Sequence, residues 1–454
     1  MTNTECIQSR FEFAGVGSRS VVARFDGGRI TSDGGGLLLR EVDRRIGLLN
    51  RLARCFRDGR DAGRVQHSVR EMLAQRIYGL ALGYEDLNDH EQLRTDPMMS
   101  VLADKADVKR PLAGKSTLNR LELGGETGDV DPYKKVHYHG EAIDELLVSL
   151  FLEAHGKAPQ EIVIDLDATD LPVHGHQEQR FFHGFYNHYC YLPLYILSGD
   201  HLLGVRLRAA NTDASAGALE EVERIVRQIR QAWPEVKITL RADSGFCRDA
   251  LMSWCEAHGV DYVLGFARNE RLRRIIDPQM QEAAALHRQS GQAARVFTEF
   301  DYQTHDSWNR SRRVVAKAEQ LDGKQNPRYV VTSLSAALWP AQRLYEELYC
   351  ARGDLENRIK EQYSLFAGRV SAATIRANQL RLYLSAAAYV LMSALRRLAL
   401  SGTEWARAQC ESIRSHLLRI GAQIRITVRK VWISLASSYP YHRIFAHAYT
   451  QLRC

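Results

Sequence analysis

A change of hydrophobic period after residue 159 limits the possible folds of this chain more than any other feature. Helical patterns come before it, and the segment 161–167 (EIVIDLD) then has the length and β-branched content of a buried strand. Ser198, Gly199 and Asp200 are turn residues between two apolar runs, which predicts a hairpin. The predicted elements follow in the order strand (161–167), hairpin (189–197 and 202–207), helix (219–233), strand (236–240), helix (249–258) and strand (260–266). This order predicts an α/β core built on a mixed five-stranded sheet.

Three acidic residues occupy informative positions in this pattern. Asp167 ends the first predicted strand, Asp243 follows the fourth, and Glu356 lies on a helix predicted over residues 341–362. The first and fourth strands can lie side by side, so the two aspartates would meet at one edge and a packed helix can add the glutamate. Converging carboxylates need cations between them, and oxygen ligands suit Mg²⁺ or Mn²⁺. Two such ions can activate a water or hydroxyl group and stabilise the leaving oxygen of a phosphodiester.

Each acid also has an ordinary structural explanation. An Asp after a strand often caps a turn, and a Glu on a helix is usually solvated. The first acid is ambiguous as well, because Asp165 and Asp167 are two residues apart and point to the same side of a strand. We prefer Asp167, which is nearer the end of the strand, over Asp165, and Asp170 is the third choice.

The predicted helix that carries Glu356 has further side chains suited to a phosphate backbone. Spacings of 3, 4, 4 and 3 residues place aromatic, cationic and acidic groups on one helical face. The alternative is a salt-bridged surface helix. The residues of this face are Tyr349, Arg352, Glu356, Lys360 and Tyr363.

Positive charge is concentrated near the C-terminal end of the chain. Residues 366–454 contain 13 Lys and Arg but only two Glu, whereas the whole chain has a net charge of +7. Such a segment attracts a polyanion at long range, and the planar fork of arginine suits phosphate. Arg425, Arg429 and Lys430 are therefore candidate contacts to a DNA backbone, and the alternative is a solvated helical face.

The 454 residues are enough for roughly two to four structural units. We expect a mostly helical N-terminal DNA-binding domain (1–155), an α/β core (160–266 and 341–398), a β-rich insertion (267–340) and a helical, basic C-terminal segment (399–454). Trp308 lies in a polar, cationic stretch of the insertion. If exposed, it is a platform for an unstacked base; the alternative is a Trp packed beneath its own insertion.

Other features bear on location. The longest apolar stretch has 13 residues, which is shorter than a membrane span of about 20. The first residues lack the pattern of a signal peptide, and the eight cysteines form no CxxC pair. We therefore expect no membrane helix and a cytoplasmic location.

A histidine-rich window offers a competing interpretation. Five potential zinc ligands lie close together there, although their spacing matches no closed zinc site. A zinc hydrolase would use such ligands. They are His174, His176, His183, His188 and Cys190.

Taken together, six segments resemble the DDE transposases of bacterial insertion sequences, and the insertion-sequence thirteen-eighty family in particular. No single segment is specific, but the set is. The last of them matches the related signature Tyr-x₂-Arg-x₃-Glu-x₆-Lys except that Tyr363 replaces the lysine. The segments are 83–90 (GYEDLNDH), 165–170 (DLDATD), 191–194 (YLPL), 211–217 (NTDASAG), 241–246 (RADSGF) and 349–361.

This resemblance implies a ribonuclease H-like core with a β-rich insertion before the Glu-bearing helix. It implies that Asp167, Asp243 and Glu356 bind the metal ions. The implied activity is binding of the terminal inverted repeats, cleavage at the element ends and joining of the 3′-OH ends to target DNA. Pairing two ends requires at least a homodimer. The alternative is a catalytically silent, transposase-derived DNA-binding regulator.

Overall fold

The computed structural model describes residues 10–126 and 135–453. Residues 1–9, on which the expectation about a signal peptide rests, lie outside the described ranges. The strands are β1 Phe11–Val16, β2 Arg19–Ala23, β3 Arg29–Thr31, β4 Phe56–Asp58, β5 Gly125–Glu126, β6 Val136–Tyr138, β7 Glu161–Ala168, β8 Leu171–Pro172, β9 Phe181–His183, β10 His188–Tyr191, β11 Leu194–Ser198, β12 His201–Arg206, β13 Lys237–Ala242, β14 Asp261–Phe266, β15 Ala294–Tyr302, β16 Arg312–Leu321, β17 Lys324–Gln325, β18 Arg328–Thr332, β19 Ala422–Ile426 and β20 Val431–Leu435.

The α-helices are α1 Gly36–Ile46, α2 Leu48–Arg54, α3 Val69–Leu82, α4 His90–Leu93, α5 Pro97–Leu102, α6 Lys115–Glu122, α7 Gly140–Ala154, α8 Ala218–Ala232, α9 Asp249–Ala257, α10 Glu270–Ile275, α11 Asp277–Ser290, α12 Ala341–Arg343, α13 Gly353–Ser364, α14 Ile375–Ala399, α15 Cys410–Ile413 and α16 His442–Arg453. Short 3₁₀ turns cover Ala62–Arg64, Leu87–Asp89, Ser244–Phe246 and Cys350–Arg352, and π-helical turns cover Leu344–Tyr349 and Arg414–Leu418. Within the described ranges, every helix is too short or too polar to cross a membrane.

The chain forms two compact units. The first contains the described residues up to Ala53, Arg60–Leu121 and everything described from Leu391 onward; the second contains Arg54–Gly59 and the described part of 122–390. This division differs from the expected boundary at residue 155. Helix α7 belongs to the second unit because its apolar residues Val148 and Phe151 pack into the core of that unit.

The basic C-terminal segment is also organised differently from the expectation of a helical tail. It joins the N-terminal helices in the first unit, and it forms a hairpin of β19 and β20 that pairs with β3. The alternation of apolar and polar residues explains why β19 is a strand. Ala422 and Ile424 are buried on one face, whereas Gln423 and Arg425 are exposed on the other.

The second unit is built on one large mixed sheet. Its strands lie in the order β12-β11-β7-β13-β14-β18-β16-β15, and β17 pairs with β16. Strands β7, β13 and β14 are parallel, whereas β11, β12 and β18 run antiparallel to their neighbours. Along the chain, the predicted succession of strand, hairpin, helix, strand, helix and strand is found as β7, β11–β12, α8, β13, α9 and β14, with the short strands β8, β9 and β10 between β7 and β11. The hairpin is confirmed as β11 and β12 around Gly199, which has a φ of 55°.

One predicted strand and the insertion differ from expectation. The run 189–197 is split at Pro193, which cannot donate a ladder hydrogen bond, so β10 joins a small separate sheet with β8 and β9. The insertion begins with helices α10 and α11, and its strands extend the central sheet past β14 rather than forming their own layer.

Alternation along β7 separates an apolar face of the sheet from an acidic one. Ile162, Ile164 and Leu166 are buried in the core beneath α7, α8 and α9. Asp165 and Asp167 therefore lie on the opposite face. The sheet thus presents its carboxylates on the side away from these three helices.

Trp308 is buried in the second unit, and the expectation of an exposed stacking platform is wrong. Only 6% of its surface is exposed. Its ring lies 4.9 Å from that of Phe266 and 5.9 Å from that of Tyr302. The nearby Arg312 is held by ion pairs to Asp249 and Glu256 rather than facing solvent. Trp308 is therefore a core residue of the extended sheet.

We predict that Trp308→Ala lowers the free energy of unfolding by about 3–5 kcal/mol, because it empties a packed site. Chemical unfolding followed by circular dichroism measures this. The exposed Trp432 provides a control, for which Trp432→Ala should change stability by less than about 0.5 kcal/mol. Equal stability of the two variants would contradict the assignment of Trp308 to the core.

Candidate active site

Two neighbouring parallel strands bring the first two acids together. Ala242 of β13 is in register with Leu166 of β7, so Asp243, the next residue, comes alongside Asp167. Asp243 also ends its strand by accepting a hydrogen bond from the Gly245 N–H at 2.8 Å, which caps the following 3₁₀ turn. Asp243 therefore caps this turn and also lies beside Asp167.

The third acid comes from an irregular helical segment. The helix predicted over 341–362 is interrupted by the π turn Leu344–Tyr349 and the tight turn Cys350–Arg352 before α13 begins. A π turn followed by a 3₁₀ turn changes the direction in which the next side chains point, compared with a regular α-helix. Such irregular turns are frequent at functional sites. Glu356 lies in the first turn of α13, and the Arg352 guanidinium is within 4 Å of both the Glu356 and the Asp167 carboxylates.

Arg241 fixes this irregular segment against the sheet. Its guanidinium donates to both carboxylate oxygens of Asp165, at 2.5 and 2.8 Å, and to the Leu348 carbonyl at 2.5 Å. Arg241 and Asp165 are both buried. One side chain on β13 therefore joins β7 to the helical segment that carries the third acid.

Close packing at Gly265 fixes the same segment from β14. A Cβ atom at Gly265 would lie 2.6 Å from the Tyr349 hydroxyl and 2.8 Å from the Ser244 backbone nitrogen. Tyr349 is half-buried, and burial raises the pKa of its hydroxyl above the ordinary value. Its hydroxyl thus lies against the sheet.

The three acids surround the guanidinium of Arg352. Its Nη2 is 2.6 Å from Asp167 Oδ1 and 4.0 Å from Asp243 Oδ2, and its Nη1 is 3.9 Å from Glu356 Oε1. Side-chain exposure increases from 13% for Asp167 to 43% for Asp243 and 58% for Glu356. The cluster is thus anchored at Asp167 and opens to solvent at the other two acids.

Burial raises the pKa of the Asp167 carboxyl above its ordinary value; the charge of Arg352 opposes this rise and that of Asp243 adds to it. Burial would lower the pKa of Arg352, but the carboxylates, led by Asp167, raise it. Arg352 therefore stays charged. Three carboxylates and one guanidinium leave an excess of negative charge, which attracts a further cation.

The oxygen ligands are of the type that Mg²⁺ or Mn²⁺ prefers, and the solvent-exposed acids leave a route for an ion. Within residues 10–126 and 135–453, no three His, Cys, Asp or Glu side chains are spaced as a ready-made metal site. The centre of the acid cluster is held by Arg352 instead. The acids therefore fit a divalent ion by their chemistry, provided that Arg352 moves aside.

The three candidates for the first acid have different partners. Asp165 is paired with the buried Arg241, and the Asp170 carboxylate pairs with His188 Nε2 at 2.8 Å. Of the three, Asp167 is the one that shares Arg352 with Asp243 and Glu356.

Two other residues of the predicted helical face differ in their surroundings. Lys360 is exposed and forms no ion pair with any residue that the structure describes. Tyr363 is half-buried, and its hydroxyl donates to the Asp170 backbone carbonyl at 2.8 Å. The residue that replaces the signature lysine thus contacts the loop after β7, whereas Lys360 is available to solvent.

The histidines of the zinc interpretation contact other groups. His188 pairs with Asp170, Arg180 donates to His176 at 2.9 Å, and the His183 ring packs against Tyr186 at 4.8 Å. These contacts tie the window to the loop after β7, and they gather no zinc ligand set among the described residues.

The first unit has a separate basic surface on the β19–β20 hairpin. Arg425, Arg429 and Lys430 are all exposed on it. Sequence reasoning missed Trp432, which is 48% exposed and stacks beneath Arg425 at 6.0 Å and Lys430 at 5.3 Å. Polar and apolar residues alternate in 422–426 and 431–435, and this pattern could have predicted two paired strands. In the resulting hairpin, Arg425 lies opposite Trp432.

A protein-family model described as "Transposase DDE domain group 1" matches residues 13–454. The chain belongs to this family of DDE transposases. No curated protein matches it. Among solved structures, the cryo-EM structure of a piggyBac transposase synaptic complex with hairpin DNA matches at 10% identity with a TM-score of 0.41, over 85% of this chain and 80% of that chain.

We predict that Arg241→Leu lowers the free energy of unfolding by about 3–5 kcal/mol, because it leaves the Asp165 carboxylate buried and unpaired. Denaturant unfolding measures the change. The double variant Asp165→Leu with Arg241→Leu should recover part of the loss, since no buried charge then remains. Arg274→Leu, at an exposed arginine, is the control. If Arg241→Leu is as stable as Arg274→Leu, the pair does not join the strands to the helix.

Proposed function

We propose that this protein is the transposase of an insertion sequence: it binds the terminal inverted repeats, cleaves DNA at the element ends and joins the 3′-OH ends to target DNA. The observation that carries this proposal is the convergence of Asp167, Asp243 and Glu356 on one guanidinium at the end of two parallel strands. Membership of a DDE transposase family supports the same conclusion.

The proposal includes a ribonuclease H-like core and membership of the insertion-sequence thirteen-eighty family. The sheet order β12-β11-β7-β13-β14, with three parallel and two antiparallel members, supports the first. The six sequence segments that carry the resemblance support the second. The strands of the insertion, β18, β16 and β15, extend this sheet past β14.

Asp167, Asp243 and Glu356 would hold Mg²⁺ or Mn²⁺, two ions in all. When bound, such ions lower the pKa of a water molecule and stabilise the leaving oxygen of a phosphodiester. The chain itself supplies orientation: β7 and β13 hold the two aspartates in register, and Arg241 holds the segment that leads to Glu356.

Arg352 has two roles in this proposal. Without a metal ion it neutralises part of the acid cluster, and with an ion bound it turns toward the DNA phosphates. Its charge is retained in both states because a guanidinium stays protonated in proteins. Lys360 on α13 is a second phosphate contact, in place of the signature lysine that Tyr363 replaces. The exposure of Lys360 and its lack of an ion pair with described residues support this role.

The first unit contributes DNA binding through the β19–β20 hairpin. A two-stranded ribbon can enter the major groove of B-DNA, and its cations can contact phosphates. Residues 422–435 contain three cations and no acid. We further propose that two copies act together on paired ends, in the cytoplasm. The competing proposal, a regulator that binds DNA without cutting it, is decided by the cleavage assay below.

We predict that Asp167→Asn, Asp243→Asn and Glu356→Gln each reduce Mg²⁺-dependent cleavage by about 100-fold or more, since metal ligation needs the anionic oxygens. Binding of the same DNA, measured by fluorescence anisotropy, should stay close to wild type because other residues contact the backbone. The cleavage substrate is a plasmid that carries the element ends, and mapped nicks are the readout.

Asp354→Asn is the matched control for this series, because Asp354 is an exposed acid on the same helix. It should cleave like wild type. Absence of cleavage by the wild-type protein in Mg²⁺ and Mn²⁺, with DNA binding retained, would favour the regulator. Normal cleavage by Asp167→Asn would refute the choice of the first acid.

We also predict that replacing Arg425, Arg429 and Lys430 together with Ala weakens binding to all duplex sequences alike. The slope of log K against log salt should flatten by about 0.9 for each phosphate that the variant no longer neutralises. The charge-matched control replaces three exposed cations of the second unit with Ala: Arg274, Arg288 and Lys324. An unchanged slope for the hairpin variant would show that these cations are only solvated.

A further inference from the structure

The hairpin of β9 and β10 exposes an unusual number of aromatic side chains beside the acid cluster. The exposed fractions are 39% for Phe181, 53% for Phe182, 85% for Phe185 and 46% for Tyr189. Single exposed apolar residues are normal, but several exposed aromatic residues on one short hairpin indicate a binding surface. The hairpin lies in the same unit as the acids.

The turn of this hairpin is well defined. The Asn187 N–H donates to the His183 carbonyl at 2.8 Å, and Asn187 adopts a φ of 58°, which asparagine tolerates better than most residues. Phe185 is therefore held at the tip by a closed turn.

Side chains alternate between the two faces of this hairpin. Phe182 and Tyr189 are directly opposite each other in the ladder, and their rings contact edge to face at 5.7 Å. The Arg180 guanidinium lies 4.5 Å above the Tyr189 ring on this exposed face. Residues 179–191 contain no acidic residue. This face thus combines aromatic rings with a cation.

The other face connects the hairpin to the active site. His188 pairs with the carboxylate of Asp170, three residues after Asp167, and Tyr363 of α13 donates to the carbonyl of the same Asp170. Burial raises the pKa of Tyr186 to about 12, and the charges of Asp170, Asp167 and Asp243 contribute to that rise. The hairpin therefore lies within electrostatic range of the acids.

We propose that this aromatic hairpin binds an unpaired nucleotide of the DNA beside the site of cleavage, with Phe185 and Phe182 stacking on the base and Arg180 contacting its phosphate. This inference rests on the proposed function. Rings with an accessible face bind bases without regard to sequence, and an adjacent arginine matches the phosphate charge. In an intact duplex the base faces are covered by stacking, so the hairpin selects DNA whose bases are unstacked.

The test measures binding of the full-length chain, without metal, to a (dT)₁₂ oligonucleotide and to a blunt duplex of about the length of two helical turns. Phe185→Ala, and Phe182→Ala with Phe185→Ala, should weaken (dT)₁₂ binding by about 5- to 150-fold for each base that no longer stacks on a ring. Duplex binding should not change. Phe185→Trp keeps an aromatic face and should retain the wild-type affinity for (dT)₁₂.

Phe25→Ala is the matched control, because Phe25 is a 95% exposed phenylalanine of the first unit. It should bind both DNAs like wild type. Wild-type affinity of the double variant for (dT)₁₂, or equal weakening for (dT)₁₂ and duplex, would overturn the proposal. Since binding is measured without metal or cleavage, such a failure leaves Mg²⁺-dependent nicking by the wild type intact. Failure of the proposed function would instead abolish nicking and leave the difference in (dT)₁₂ binding.

Discussion

The arrangement of the acid cluster depends on a buried guanidinium that joins two strands to a helical segment. Arg241 binds both oxygens of Asp165 on the neighbouring strand, and its remaining donor reaches the Leu348 carbonyl of the π turn. This link fixes the segment that leads to Glu356 at this edge of the sheet. Asp165 is thus occupied by Arg241, whereas Asp167, two residues further along the same face, pairs with Arg352 and is the acid to which the proposed function assigns metal binding.

A second arginine then determines the state of the acids. Arg352 stands between Asp167, Asp243 and Glu356, and its pairing with the least exposed of them lowers the repulsion that three carboxylates would otherwise feel. Under the proposed function, the same guanidinium must leave the three carboxylates before a divalent ion can bind them. In this account, metal binding and the release of Arg352 toward DNA are one exchange of cations. The remaining negative charge favours that exchange.

Local patterns in the sequence predicted the strands of the core and the position of Asp243 beside Asp167, because strands and their ends depend on residues close together in the sequence. The alternation of apolar and acidic residues in 161–167 showed which face of the sheet carries the acids. The ends of β7 and β13 showed at which edge Asp167 and Asp243 lie. The burial of Trp308 was not predictable in this way. It depends on packing against the rings of Phe266 and Tyr302, which lie on two different strands of the sheet. The position of Arg352 depends on two irregular turns, which periodicity cannot reveal.

The central claim, that three acids form one cation site now shared with Arg352, is tested most directly by Mn²⁺ binding followed by electron paramagnetic resonance. We expect Asp167→Asn, Asp243→Asn and Glu356→Gln each to weaken Mn²⁺ binding, and Arg352→Gln to strengthen it by removing the competing charge. Asp354→Asn should bind like wild type. Mn²⁺ affinity that is the same in the wild type and all three acid variants would contradict the account.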